Sequence, residues 1–203
     1  MRRFVSFVLA AVLALMVAGP AEAATVDISI VSTTVGFDPK TATGAFGDTF
    51  RWTNDDALNH TTTQDSPLAL WDSGTMGAGD TFATTIDSAG SYPCQCAIHP
   101  VSMTGVVRIP LRVDPTSGPV GTAFKVSVAA VGAPDGFVYD VQRRMGSGDW
   151  SIWKRGITTR SATFRPSSAG TWSFRSRLRE TGGGKSGWSP PRSISVTSGY
   201  QGT

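Results

Sequence analysis

Apolar and polar residues alternate along this chain in short runs rich in Val, Ile, Thr, Phe and Trp. Clusters of Gly, Asp, Asn and Pro separate the runs. Alternation with a period of two is typical of β-strands, and no convincing helical period follows the N-terminal segment. We therefore predict an all-β chain. The predicted strands are 25–32, 49–53, 60–63, 80–86, 90–96 and 105–112 in the first half, and 123–130, 136–145, 150–157, 161–165, 170–180 and 193–197 in the second.

A dense group of turn-forming residues, Asp114-Pro115-Thr116-Ser117-Gly118-Pro119, interrupts this pattern near the middle of the chain. Six or seven short strands on each side of it, with turns at regular spacing, favour two successive β-sandwiches. We place the first domain at 24–112, a linker at 113–118, the second domain at 119–198 and a tail at 199–203.

The N-terminal segment has the pattern of a secretory leader. Arg2 and Arg3 precede an apolar run at 4–18, and Ala21-Glu22-Ala23 forms a small-residue cleavage site. The alternative is an uncleaved anchor, although the run is short for a membrane span of about 20 residues. We expect cleavage after Ala23 and a secreted, extracytoplasmic protein, located outside the cell, at its surface or in the periplasm.

Composition agrees with a turn-rich β protein. Charged residues make up 16% of the 203 positions, against about 25% in typical domains, and the chain has 23 Gly and 12 Pro. This balance excludes a coiled coil, a charge-driven disordered chain and a disulfide scaffold. The net charge of +3 hides a split. Nine Asp against four basic residues give 24–112 a charge of −5, and twelve basic against five acidic residues give 113–203 a charge of +7.

The candidate chemistry lies in one loop, where Cys94, Cys96, His99 and Met103 follow one another closely. His60, the other histidine of the chain, lies upstream. Two imidazoles, one thiolate and a weak thioether form the ligand set of a type 1 copper site. Zinc is the rival metal, but a zinc site would normally recruit a carboxylate or further Cys and His ligands. A lone methionine is usually a core residue, so we assign Met76 no role as a ligand.

These residues resemble the cupredoxins, the family of small blue copper proteins that includes plastocyanin, amicyanin and azurin. The resemblance covers residues 25–112, and it extends to segments around the loop and before His60. Those segments are 36–39, 50–54, 71–74, 79–82, 90–92 and 105–107. The resemblance implies a Greek-key β-sandwich and one type 1 copper ion. It implies that His60, Cys96, His99 and Met103 are the ligands.

The second cysteine, Cys94, departs from the family pattern. Counted from Cys96 the loop is C-x2-H-x3-M, between the amicyanin and plastocyanin spacings, whereas counted from Cys94 it is C-x4-H-x3-M, as in azurin. We prefer Cys96, because Tyr92 then lies four residues before the ligand. Period-two geometry places Cys94 on the same strand face, which predicts a small buried thiol. A ligand, an auxiliary redox thiol and a disulfide with Cys96 are the alternatives.

Two neighbours of the ligands are expected to tune the site. Thr61 is expected to form a hydrogen bond to the ligand loop. Pro100 has no N–H group, so it cannot donate a hydrogen bond to the thiolate. The negative charge on the Cys96 sulfur should therefore be offset by fewer hydrogen-bond donors.

The resemblance implies a carrier of single electrons rather than an enzyme. Electrons would pass through the edge of His99, within an apolar patch of Ile98, Pro100 and Val101, to a transient redox partner.

Three aspartates flank His60 in sequence and either steer a basic partner or are solvated loop charges: Asp55, Asp56 and Asp65. The alternative function is a copper carrier or reservoir without redox turnover. An oxidase or reductase subunit is disfavoured because the chain has no additional His-rich centre.

Residues 119–198 resemble fibronectin type III and related immunoglobulin-like domains, notably around 172–179 and 187–190. Arg175, Arg177 and Arg179 share one strand face, so we expect them to stack on Trp172 or Trp188. The alternative is an anion-binding face that contacts cell-wall polymers. No nucleic-acid motif occurs. We expect a monomer in which the second domain is a spacer or a docking module.

Overall fold

The computed structural model describes residues 23–65 and 68–199. All regular elements in these ranges are β-strands, which confirms the all-β prediction. The predicted leader, except Ala23, and the predicted tail beyond residue 199 lie outside the described residues. A search of the described ranges finds no helix that is long and apolar enough to cross a membrane.

The first sandwich packs two four-stranded sheets around one core. Its strands are β1 (Thr25–Ser32), β2 (Gly36–Asp38), β3 (Thr41–Thr43), β4 (Thr49–Asn54), β5 (Thr63–Gln64), β6 (Thr81–Thr85), β7 (Gly90–Gln95) and β8 (Thr104–Ile109). The sheet orders are β2-β1-β4-β6 and β3-β8-β7-β5. The β1–β4 and β3–β8 pairs are parallel, while the other neighbours are antiparallel.

Alternation along β4 shows how the sequence builds this core. Phe50, Trp52 and Asn54 point inward and are fully buried, and the residues between them are more exposed. The Trp52 ring lies 5.6 Å from the Trp71 ring and 6.1 Å from the Phe82 ring. A strand with one apolar face packs in this way, because successive side chains point to opposite sides.

The second sandwich packs a five-stranded sheet against a three-stranded one. Its strands are β9 (Arg112–Asp114), β10 (Ser117–Pro119), β11 (Phe124–Ser127), β12 (Phe137–Met145), β13 (Ser151–Ile157), β14 (Ser161–Phe164), β15 (Gly170–Glu180) and β16 (Arg192–Thr197). The orders are β10-β16-β15-β12-β13 and β14-β11-β9. Aromatic rings fill the space between the sheets. Phe164 lies edge-on to Trp153 and Phe174, with ring centroids 5.6 and 5.0 Å apart.

The segment 113–118, which we expected to be a linker, instead contributes to two strands. Arg112–Asp114 pairs with β11, and Ser117–Pro119 pairs with β16. The turn-forming residues predicted a linker, but β10 is an edge strand of its sheet. An edge strand tolerates proline because no hydrogen bond between strands requires the missing N–H group. Strand pairing of the second sandwich therefore begins at Arg112.

The outer face of β15 carries the expected stacking of arginine on tryptophan. The Arg175 guanidinium lies 5.2 Å from the Trp188 ring, and the Arg177 guanidinium lies 4.5 Å from it. Arg175 also stacks on Trp150 at 4.3 Å. Trp172, the other expected partner, lies instead under Arg143, and Arg179 pairs with Asp140 at 3.0 Å rather than with an aromatic ring. The contact of this face with cell-wall polymers stays a prediction.

Backbone hydrogen bonds join the two sandwiches directly. Ser91, at the start of β7, forms an antiparallel bridge with Gly187, in which each N–H donates to the carbonyl of the other, at 3.0 and 2.8 Å. The Ala89 amide donates to the Val128 carbonyl at 2.8 Å. The strand that leads to Cys96 is therefore attached at its first residues to the second sandwich.

Candidate metal centre

Three candidate ligands lie on one loop, and the backbone of that loop closes on itself. Cys96 directly follows β7, and the next residues turn back into β8. The His99 amide donates to the Cys96 carbonyl at 3.1 Å, and the Met103 amide donates to the His99 carbonyl at 3.0 Å. The Cys96 amide in turn donates to the Met103 carbonyl at 3.0 Å. These bonds fix the relative positions of the three residues before any metal binds.

The fourth candidate ligand, His60, lies on the connection between β4 and β5, which belong to the two different sheets. It follows β4 after the turn 55–59 and pairs with Met76 through two backbone hydrogen bonds of 3.1 and 2.8 Å. His60 is fully buried. The pairing with Met76 holds the His60 backbone in an extended conformation, from which its ring reaches Cys96.

Cys96 Sγ lies 3.7 Å from His60 Nδ1 and 3.7 Å from His99 Nδ1. The ligand atoms of these three residues lie within 4.8 Å of one another. Two sides of this triangle of atoms are therefore 3.7 Å long and the third is at most 4.8 Å, so one ion can lie at about 2.0–2.4 Å from all three, close to the usual lengths of metal–nitrogen and metal–sulfur bonds. The arrangement therefore fits a single metal ion.

Met103 is fully buried in the same loop, and its backbone bonds to both Cys96 and His99. Its Cα packs close to Gly36, where an added Cβ would lie 3.6 Å away. The structure thus brings His60, Cys96 and His99 together and anchors Met103 beside them. The role of these four residues as ligands stays a prediction.

The surroundings of Cys96 favour a thiolate. Burial on its own would raise the pKa of the thiol. The Thr61 amide, which donates to Sγ at 3.3 Å, and the two imidazoles outweigh burial and lower the pKa to about 6. A thiolate is the form of cysteine that binds metals. The site is therefore prepared to bind a metal at neutral pH.

Thr61 also braces the loop, as the sequence predicted. Its Oγ1 accepts a hydrogen bond of 2.7 Å from the Ala97 amide, and it lies 3.1 Å from the Thr63 hydroxyl. Thr61 thus holds the residue after Cys96 through its side chain and Cys96 itself through its backbone. The brace ties the ligand loop to the segment that contains His60.

Asp56 has a role that our sequence analysis missed. We expected a partner-steering or solvated charge, but Asp56 Oδ2 lies 3.0 Å from His60 Nε2. The bond to His60 holds the pKa of the Asp56 carboxyl below its ordinary value. A carboxylate on Nε2 keeps a proton there, so Nδ1, which faces Cys96, is the nitrogen that gives up its proton when a metal binds. The spacing of four residues between Asp56 and His60 was the available signal.

We expect Asp56→Ala to weaken metal affinity at this site by about 10- to 100-fold, because a ligating imidazole then loses its outer partner. Asp55→Ala is the matched control, since Asp55 is exposed. Competition with a chelator of known affinity measures the change. Equal affinities for the two variants would show that the Asp56 bond does not position His60.

Cys94 is a buried free thiol, as predicted. Burial raises its pKa to about 12, although the Gly105 amide acts in the opposite direction. Cys96 is also free, so the alternative of a disulfide between them is wrong. The high pKa keeps Cys94 protonated at neutral pH, in contrast to Cys96.

The loop presents an apolar surface beside His99, as expected. His99 is partly exposed, and Ile98, Pro100 and Val101 are exposed around it, Val101 to 96%. Leu58, two residues before His60, is 54% exposed. His99 is therefore the candidate ligand that reaches the surface, and an apolar rim borders it.

A scan against family models and a search of the curated proteins both find no match. Among solved structures, the chain is similar to a purple cupredoxin from Nitrosopumilus maritimus, at 26% identity and a TM-score of 0.38, over 41% of this chain and 97% of that one. It is similar to an oxidized amicyanin mutant at 22% identity and a TM-score of 0.38, over 41% and 80%. It is also similar to a copper-containing nitrite reductase from Thermus scotoductus at 24% identity and a TM-score of 0.38, over 48% of this chain and 24% of the reductase. These likenesses cover less than half of the chain and do not establish its family.

Proposed function

We propose that this chain is an exported mononuclear blue-copper protein of the cupredoxin type that carries single electrons. One observation carries the proposal. The Nδ1 atoms of His60 and His99 both lie 3.7 Å from one buried sulfur, that of Cys96. Two imidazoles, a thiolate and the thioether of Met103 are the donors that a type 1 copper site uses.

The donor set favours copper over zinc. Within the described residues, the group of three clustered ligand side chains contains no carboxylate. The Asp56 carboxylate is hydrogen-bonded to Nε2 of His60, the ring nitrogen that does not face Cys96. Two sulfur donors suit Cu(I), and two imidazoles keep Cu(II) accessible.

A copper ion bound there would supply the one-electron exchange between Cu(I) and Cu(II). The protein supplies a fixed set of donors. Cys96 is held as a thiolate by Thr61, His60 is oriented by Asp56, and the backbone bonds of the loop position His99 and Met103. A site that needs little rearrangement lowers the barrier to electron movement.

The exposed edge of His99 is the proposed route for electrons. It opens on the apolar rim of Ile98, Pro100 and Val101, where a redox partner would dock in a small, transient interface. Both histidines of the chain belong to the site, which supports a carrier rather than an enzyme with a second metal centre. Burial of His60, Cys96 and Met103 disfavours the alternative of a copper reservoir, because a releasing site needs ligands that are accessible to exchange.

Copper loading of the metal-free protein tests the proposal. We expect an intense visible absorption band from thiolate-to-Cu(II) charge transfer, together with reversible one-electron reduction in voltammetry. Loading with Zn(II) is the control and should give no such band. A colourless protein that binds only Cu(I), without reversible oxidation, would support the reservoir and overturn the electron carrier.

A further inference from the structure

Asp48 is a buried carboxylate on the connection between β3 and β4, outside the candidate metal centre. It is 8% exposed. Its Oδ1 accepts a hydrogen bond of 3.0 Å from the Ala24 backbone nitrogen, and its Oδ2 accepts one of 2.7 Å from the Ala45 amide. Among the ion pairs found in residues 23–65 and 68–199, none includes Asp48. It is therefore a buried charge held by two neutral donors.

A cation beside a buried carboxylate adds a Coulomb attraction to the hydrogen bonds that neutral N–H groups already donate. Basic side chains do lie in the neighbourhood, because Arg112, Lys125 and Arg160 line the same groove as Ala23 and Asp48. The Arg112 guanidinium stacks on the Phe46 ring at 4.5 Å. The atom that does reach Asp48 Oδ1 is the nitrogen of Ala24.

That nitrogen occupies a special position in the sequence. Ala24 is the first residue after Ala21-Glu22-Ala23, the small-residue pattern of a leader cleavage site. The backbone holds Ala24 from its other side too, since its carbonyl accepts a 2.9 Å hydrogen bond from the Thr49 amide. The residue is thus fixed next to the first strand pair, Thr25 with Thr49.

We propose that the chain is processed between Ala23 and Ala24, and that the new α-ammonium group of Ala24 forms an ion pair with Asp48. A leader-removing peptidase adds water across the Ala23–Ala24 amide. The C–N bond breaks, Ala23 gains a carboxylate, and the Ala24 nitrogen becomes an ammonium at neutral pH. The nitrogen already lies 3.0 Å from Oδ1, so pairing needs no rearrangement of the strand. Processing therefore adds a stabilising charge to the folded domain.

The cleavage position is tested by producing the full chain in a secreting bacterial host and measuring the intact mass of the exported protein. We expect the mass of residues 24–203. A different first residue, or a protein that retains residues 1–23, would overturn the processing step. This measurement requires no bound metal, so its result is independent of the copper proposal.

The ion pair is tested on metal-free protein that begins at Ala24, compared with the same protein preceded by two glycines. The extension keeps an amide N–H at Ala24 but moves the ammonium about 7 Å along the chain. We expect the thermal midpoint of the Ala24 form to be higher by about 3 °C. Equal midpoints for the two N-termini would overturn the pair.

Asp48→Asn should abolish that difference, because its amide carries no charge to pair with the ammonium. Asp38→Asn is the control, since Asp38 is an exposed aspartate of the same sandwich, and it should leave the difference unchanged. A difference that persists in Asp48→Asn would contradict the assignment. If Asp48→Asn does not fold, the comparison of the two N-termini on the unmutated chain still decides.

Discussion

We expect Cys96→Ser to abolish the visible absorption of the copper-loaded protein, whereas Cys94→Ser leaves it in place. Cys96 Sγ is the atom that both Nδ1 nitrogens face, and three groups around it stabilise its thiolate. A serine hydroxyl stays protonated at neutral pH and cannot supply the sulfur charge-transfer band. The loss should therefore be complete rather than partial.

Cys94 is the matched control because it is equally buried, lies two residues away and has its pKa raised to about 12. Its replacement by serine buries a hydroxyl, which should lower the free energy of unfolding by about 1–3 kcal/mol without changing the spectrum. Optical titration with Cu(II) and urea denaturation measure the two effects. Loss of the band in Cys94→Ser, with Cys96→Ser still coloured, would move the ligand to Cys94 and restore the azurin-like loop spacing.

The largest expected effect on stability is that of Asp140→Ala in the second sandwich. Asp140 is fully buried, and its Oδ2 accepts hydrogen bonds from Arg177 at 3.1 and 3.0 Å and from Arg179 at 3.0 Å. Its Oδ1 accepts one from the Gly156 amide at 3.0 Å. Removing it leaves two guanidinium groups without their counter-charge, so we expect a loss of about 3 kcal/mol in the free energy of unfolding.

Urea denaturation measures that loss, and Asp149→Ala is the control because Asp149 is an exposed loop residue. Equal stability of the two variants would show that Arg177 and Arg179 pair with other groups or with solvent at no cost in the free energy of unfolding. The side chains of Arg177 and Arg179 are each partly exposed to solvent. If they turn toward solvent in Asp140→Ala, the two variants will differ only slightly in their free energy of unfolding.

The contribution of Asp140 should depend on pH in a defined direction. Burial would raise the pKa of its carboxyl, but Arg179 and Arg177 outweigh burial and hold the pKa below its ordinary value. A group with a depressed pKa in the folded state stabilises the protein above its unfolded pKa, about 3.9, and the stabilisation is lost as the pH falls. The stability difference between the wild type and Asp140→Ala should therefore narrow below about pH 4.

Much of the fold was predictable because alternation is strong wherever a strand has one buried face. β4 and β15 show this, since Phe50 and Trp52 share one face of β4, and Trp172, Phe174 and Leu178 share one face of β15. The three-residue strands β2 and β3 were not among the predicted strands, because three residues are too few to show a period. The boundary at 113–118 was misplaced because proline and glycine mark turns and edge strands alike.

The candidate site was predictable to the extent that it is local. Cys96, His99 and Met103 lie on one loop, and the chain has no histidine other than His99 that could take the place of His60. The role of Asp56 was not predictable in the same way, because it depends on how the turn before His60 folds. Buried Asn54 shapes that turn. Its Nδ2 donates to the Leu58 and Met76 carbonyls at 2.8 and 3.0 Å, and its Oδ1 accepts from the Asp56 amide.

The attachment of β7 to the second sandwich has a consequence for how the protein would meet a partner. Ser91 pairs with Gly187, and the same strand ends beside Cys96. Because the Ser91–Gly187 bridge and the Ala89–Val128 hydrogen bond restrict how the two sandwiches turn relative to each other, a surface that holds the second sandwich also constrains the direction in which His99 faces. Immobilising this protein through residues 119–198 would thus give the proposed electron-exchange edge at His99 a fixed orientation. It would do more than raise the local concentration of the protein.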